Sequence, residues 1–159
     1  MNKKTTFFQV IYLIIIILGI IIPFIDYVVV VEMFFLLLPF GIILFLSIII
    51  FIFNLIKYKK EILKQTSTKL IFIIPLFLFT QITSCFLVDK IQNFRSERLI
   101  DLLEIKKENY PDSFNTSFGI EYKKAINENK FELKYSRGFM VNEKYDSKNK
   151  MWRSYGWND

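Results

Sequence analysis

The sequence predicts a membrane α-helical protein: three transmembrane helices, then a small α+β C-terminal domain in which one long helix packs on a three- or four-stranded antiparallel β-meander. Three observations predict it. Apolar residues crowd into long runs before residue 89, charged residues crowd after it, and beyond Pro111 the hydrophobic period changes from that of a helix to that of a strand. The 159-residue chain is 53% hydrophobic, above the roughly 45–50% usual for a soluble domain.

A bilayer core needs roughly 17–25 mostly apolar residues per helix, because in lipid every backbone N–H and C=O must bond within its own segment. Windows 7–25, 33–56 and 70–88 satisfy this, and none contains a charged residue. Asp26 and Glu32 bracket the first connection, and the second (57–69) carries Lys57, Lys59, Lys60, Lys64 and Lys69 against Glu61. Basic loops stay in the cytoplasm. The N-terminus, with Lys3 and Lys4, and the 57–69 loop are therefore expected inside, and segments 26–32 and 89–159 outside, a bacterial cytoplasmic membrane. The first apolar run is longer than a signal-peptide core and lacks a small-x-small cleavage site after it, so an uncleaved helix is expected.

The formal charge of +6 comes from 21 Lys and Arg against 15 Asp and Glu. Much of this surplus lies before residue 89, where it sets topology, and the tail is nearly balanced, so no nucleic-acid partner is expected. There is no His, and Cys85 is the single cysteine. Histidine-based triads, histidine-ligated metals, CxxC pairs and an intrachain disulfide are thereby excluded. Neither catalytic residues, a cofactor nor a metal is expected. Ala125 is the only alanine, and Ile, Lys, Phe, Asn and Tyr are abundant, a composition that suggests an AT-rich bacterial genome.

Inside the third span the polar residues Gln81 and Ser84 share a helical face with Cys85. They read as local hydrogen bonds plus a contact to another helix, not as a conduit, because no ionisable partner stands within the spans. Pro23, Pro39 and Pro75 are expected to kink or end helices. The tetrapeptide Ile82-Thr83-Ser84-Cys85, preceded by Lys64, Lys69 and an apolar run, is similar to a bacterial lipobox, and the resemblance makes Cys85 a candidate lipidation site.

A helix is expected over 89–109, with Ile91, Phe94, Leu99, Leu102 and Ile105 in one broad stripe and Leu103 at its margin, running on from the third span and stopping near Asn109-Tyr110-Pro111. The sheet is expected over about 117–156. Phe118, Ile120 and Tyr122 alternate with polar residues, as do Phe131, Leu133 and Tyr135, and then Phe139, Val141, Glu143 and Tyr145. Turns fall at Arg137-Gly138 and over 146–149. Trp152, Arg153, Tyr155 and Trp157 close the chain as a candidate partner-binding set, since aromatics and Arg are enriched at interface hot spots; Trp152 is expected to complete the core. The acidic residues of the tail show no spacing that singles out an acid/base dyad and read as a solvated surface.

The segment 102–111, a helix end running into Tyr110-Pro111 ahead of an antiparallel sheet, resembles the end of the long helix in type IV pilins and pseudopilins. The resemblance covers about the last seventy residues and implies a helix-on-sheet head. The chain departs from the pilin pattern in having two extra spans and no acid in its third. The expected function is a non-enzymatic envelope protein whose outer domain binds a protein or envelope partner, an immunity protein being one version. The alternative is a pseudopilin-like component of a secretion or adhesion assembly. Expected partners are the lipid bilayer and a protein.

Overall fold

The computed structural model describes residues 3–105, 110–125 and 130–156. It forms two compact units, Met1–Ser84 and Cys85–Asp159. Three helices are long and apolar enough to cross a membrane: Thr6–Phe24, Asp26–Lys64 and Thr66–Glu104.

In the first unit, α1 (Lys3–Ile21) gives way to a 3-10 turn, Ile22–Phe24, at Pro23, whose missing N–H ends the helical ladder. Ile25 is extended, and the next helix starts at once: α2 (Asp26–Val31), a π-helical stretch Glu32–Leu36, and α3 (Leu37–Tyr58). The stretch 26–32, read from the sequence as a connection, is therefore helical, and the reversal lies at 22–25. Asp26 sits in the first turn of α2, where its charge complements the exposed N–H groups. The π-helical stretch ends three residues before Pro39, which has no N–H for the carbonyl of Phe35; widening the ladder there accommodates the ring. A 3-10 segment, Lys59–Lys64, leads to α4 (Thr66–Ile71). The helix is then interrupted at Phe72, three residues before Pro75, before α5 (Ile73–Glu104) begins.

Polar contacts tie these helices together. Tyr12 donates to the Lys69 carbonyl at 2.7 Å, and Asn54 donates to Ser67 Oγ and Thr68 Oγ1 at 3.0 and 3.1 Å. Gly19 lets α1 approach α5 closely, since a Cβ there would lie 2.9 Å from Thr80 Cβ and 3.1 Å from the Phe77 carbonyl oxygen. Most apolar side chains point away from the protein: only 6% of the most apolar window in Asp26–Lys64, and 17% of those in the other two helices, is buried.

In the second unit, the C-terminal part of α5 lies on an open four-stranded antiparallel sheet of order β1-β2-β3-β4: Ile120–Lys124, Phe131–Gly138, Val141–Asp146 and Met151–Tyr155. Leu99 and Leu103 of α5 meet Ile120, Phe131, Leu133, Tyr135 and Tyr145 in one core, with Tyr110, Tyr122 and Trp152 packed around it. The aromatic rings meet mostly edge-on or tilted, Tyr110 and Phe131 at 4.8 Å between centroids.

The helix face differs from the expected one. Ile91, Phe94, Leu102 and Ile105 are exposed, and the sheet-facing stripe is instead Asp89, Gln92, Ser96, Leu99 and Leu103. The broad stripe in the sequence merged two faces, because Leu99 and Leu103 lie about a third of a turn round the helix from the rest at about 3.6 residues per turn. The expected helix stop near Asn109 lies outside the described residues; α5 ends at Glu104. Phe118 is 93% exposed in the turn before β1 rather than in a strand. The β2–β3 reversal falls at Phe139-Met140, not Arg137-Gly138: Gly138 pairs with Val141, and both intervening residues have positive φ, the sign pattern of a type I′ turn. The β3–β4 turn spans 147–150, one residue later than expected, with Asp146 at the end of β3 accepting from the Lys148 N–H at 2.9 Å and from Asn149 Nδ2 at 2.6 Å.

Candidate functional site: the outer face of the sheet

Strand side chains alternate between two faces. One carries the aromatic core. The other carries Glu121, Lys123, Glu132, Lys134, Asn142, Lys144, Arg153 and Tyr155 and is not covered by α5. Antiparallel register sets their neighbours. Glu121 stands opposite Lys134, Lys134 opposite Lys144, and Lys144 opposite Arg153, so a single row across the sheet reads acid, base, base, base. Like charges directly opposite each other oppose strand pairing. Lys144 relieves this in part by reaching Glu132 at 2.9 Å. Lys134 and Arg153 make no ion pair among the described residues. Beside the row, Asn142 stands opposite Tyr155, and a shallow concavity of about 430 Å³ lies between these side chains.

The candidate set from the sequence is thus divided. Arg153 and Tyr155 lie on this outer face. Trp152 points the other way, 5.5 Å from the Tyr135 ring and 5.4 Å from the Tyr145 ring. Trp157 lies outside the described residues.

The helix-facing side holds a polar cluster that sequence spacing did not reveal. Tyr135, 2% exposed, donates to Asp89 Oδ1 at 3.0 Å. Arg137 reaches Glu143 Oε1 at 3.2 Å and lies 3.9 Å from Asp89 Oδ2, and Ser154 donates to the same Glu143 oxygen at 2.7 Å. Burial pushes the Tyr135 phenol above its ordinary range, and the bond to Asp89 adds to the shift. Glu143 is buried but doubly bonded, so its charge is compensated. The cluster fastens α5 to β2, β3 and β4, and its members satisfy one another. Further along the helix, Gln92 donates to the Phe118 carbonyl at 3.1 Å, while its Oε1 and Ser96 Oγ are buried without a partner among the described residues.

Within the first unit, Gln81 donates to Glu32 Oε2 at 2.8 Å, and Ser84 donates to the Ile20 carbonyl at 3.1 Å. Both polar residues singled out in the third span therefore bond to other helices, and the ionisable partner is Glu32, buried at 8% exposure. Cys85 is a half-buried free thiol inside α5, one residue beyond Ser84, so processing at the lipobox-like tetrapeptide would cut this helix. Among the described residues no group of Cys, Asp and Glu could hold a metal ion. No known protein family, curated protein or solved structure matches the chain.

Proposed function

We propose that the chain is a bacterial envelope protein anchored by its first unit, with the second unit outside the cytoplasm binding a protein partner through the outer face of its sheet, without catalysis. The anchoring half rests on helices whose apolar side chains point outward in numbers that a water-exposed surface does not tolerate. The orientation rests on the lysines of the 57–69 loop. The single observation that carries the binding half is the row Lys134–Lys144–Arg153. It accepts like-charge opposition on an uncovered face, which a partner with acidic groups would relieve. An immunity protein that intercepts a toxin on the outer side is one version of this reading.

The test is photo-crosslinking from position 155 of the full-length chain in intact cells. A discrete protein adduct, lost when Lys134→Glu and Lys144→Glu are introduced together, is the expected result. Adducts with lipid alone, or a protein adduct indifferent to the charge reversal, would remove the proposed surface. In the same cells with Cys85→Ser, Lys148→Cys should react with a membrane-impermeant maleimide, and Lys60→Cys only after permeabilisation. The opposite pattern would invert the topology.

A further inference from the structure

The two ends of the sheet differ in chemistry. Neighbouring strands are antiparallel, so the start of β1 and the Phe139-Met140 turn share one end, and the 147–150 turn lies at the other. Contacts with α5 set the level of each end. Tyr135 and Arg137, at the close of β2, meet Asp89 at 3.0 and 3.9 Å, and Gln92 donates to the Phe118 carbonyl, just before β1, at 3.1 Å. At the other end Lys150 reaches Glu104 at 3.2 Å. The apolar run of the third span ends at Val88. At about 1.5 Å per residue, Asp89 lies roughly 1.5 Å beyond that point, Gln92 roughly 6 Å and Glu104 roughly 24 Å. The headgroup layer of one leaflet is about 5–7 Å deep, half the difference between the whole bilayer and its hydrocarbon core.

The side chains follow the same division. Segments 117–120 and 136–142, at the near end, hold a single charged residue, Arg137, whereas 144–150 at the far end holds Lys144, Asp146, Lys148 and Lys150. Phe118 is 93% exposed. Phe139 and Met140 occupy a turn whose positive φ at both positions suits Asn and Gly, and neither belongs to the core cluster. From this we infer that the near end of the sheet, Phe118 with Phe139 and Met140, docks into the interface of the leaflet through which α5 leaves the bilayer. The inference rests on the membrane anchoring proposed above and adds a lipid contact outside the spans. Apolar side chains at the boundary of headgroups and acyl chains bury their surface without taking backbone amides into hydrocarbon. The charges nearby permit it. Asp89 and Glu143 are held by Tyr135, Arg137 and Ser154, so neither presents a bare carboxylate to anionic lipid, and the half-exposed Arg137 stands at the level of the lipid phosphates.

Nitroxide labels on single cysteines in a Cys85→Ser full-length chain test this in vesicles of phosphatidylethanolamine and phosphatidylglycerol. Collisions of each label with a water-soluble nickel complex are compared. Labels at Phe118→Cys and Phe139→Cys should meet nickel several-fold less often than one at Lys148→Cys in the far turn. At position 118 the protein itself gives no shielding, so protection there reports lipid. A label at Phe45→Cys, on an exposed position of α3, should be shielded altogether. Phe139→Asn with Met140→Gly suits the turn, so the second unit stays folded, yet it should restore nickel contact at position 118 to the level at 148. Contact at 118 and 139 equal to that at 148, with position 45 shielded, would overturn the docking and leave the anchoring intact. Protection at 118 that survives the double replacement would overturn the docking of the turn. A label at 45 open to nickel would overturn the anchoring, and the docking with it.

Discussion

Position 119 disfavours a side chain for two independent reasons. Its φ of +82° lies in the left-handed region, and a Cβ would sit 2.6 Å from Gln92 Nε2, the donor that binds the Phe118 carbonyl. Gly119→Ala should therefore destabilise the second unit by about 1–3 kcal/mol, read as a lower guanidinium midpoint of tryptophan fluorescence. Ser96 presents the reverse case: its hydroxyl is fully buried and unpartnered among the described residues. Removing a buried polar group that makes no bond costs no hydrogen bond and relieves its desolvation, so Ser96→Ala should leave stability unchanged or raise it by about 1 kcal/mol. Tyr135 sets an alkaline limit. Its folded pKa lies above the ordinary 10.0 because burial, the bond to Asp89 and the neighbouring carboxylate charges favour the neutral phenol. The folded state thus holds a proton that the unfolded state releases above about pH 10. The stabilisation is complete below that pH and is lost as pH rises toward the folded value. Tyr135→Phe should flatten this part of the pH–stability curve and lower stability at neutral pH by about 1–2 kcal/mol through the lost bond.

At the scale of elements, the β2–β3 turn is built from residues that resist it. Phe139 and Met140 have φ of 50° and 60°, and a left-handed backbone costs a residue with a Cβ roughly 1–2 kcal/mol. Replacing the pair by Asn and Gly, which adopt this turn readily, should stabilise the second unit by about 1 kcal/mol, the gain reduced by the packing of two half-buried side chains. A smaller effect at the midpoint than that of Met140→Gly alone would mean that Phe139 packs more than it strains. The same turn shows what the sequence left illegible. Alternation identified β2 and β3, but Arg137-Gly138 carries the stronger turn signature, and the reversal moved two residues on, where Gly138 could pair with Val141. The α5 stripe failed for a related reason. Six apolar residues at mixed spacing form a band wider than one contact face, and nothing local says that polar Gln92 and Ser96 lie on the covered side while Ile91 and Phe94 face outward. What was legible is what depends on segregation alone: three apolar helices, the continuation of the third into the second unit, the meander of strands, and the inward turn of Trp152. Of the candidate site, Arg153 and Tyr155 could be named, but the basic row that they join exists only through cross-strand register.

For the whole molecule, the division into two units predicts two kinds of unfolding. Both tryptophans, Trp152 and Trp157, lie in the second unit, so tryptophan fluorescence reports that unit alone, whereas most helical residues lie in the first unit or in α5. The units draw stability from different sources. The second is held by an aromatic core around Leu99, Leu103 and Phe131, which guanidinium dissolves. The first has few buried side chains, and its helices persist in an apolar medium because an unpaired backbone amide there costs several kcal/mol. In detergent micelles, guanidinium should therefore produce a cooperative fluorescence transition while most of the far-ultraviolet helical signal remains. Leu103→Ala opens a cavity at a fully buried site and should move that transition down by about 2–5 kcal/mol in stability without altering the residual helix. A single transition in which both signals disappear together, shifted as a whole by Leu103→Ala, would show that the two units fold as one.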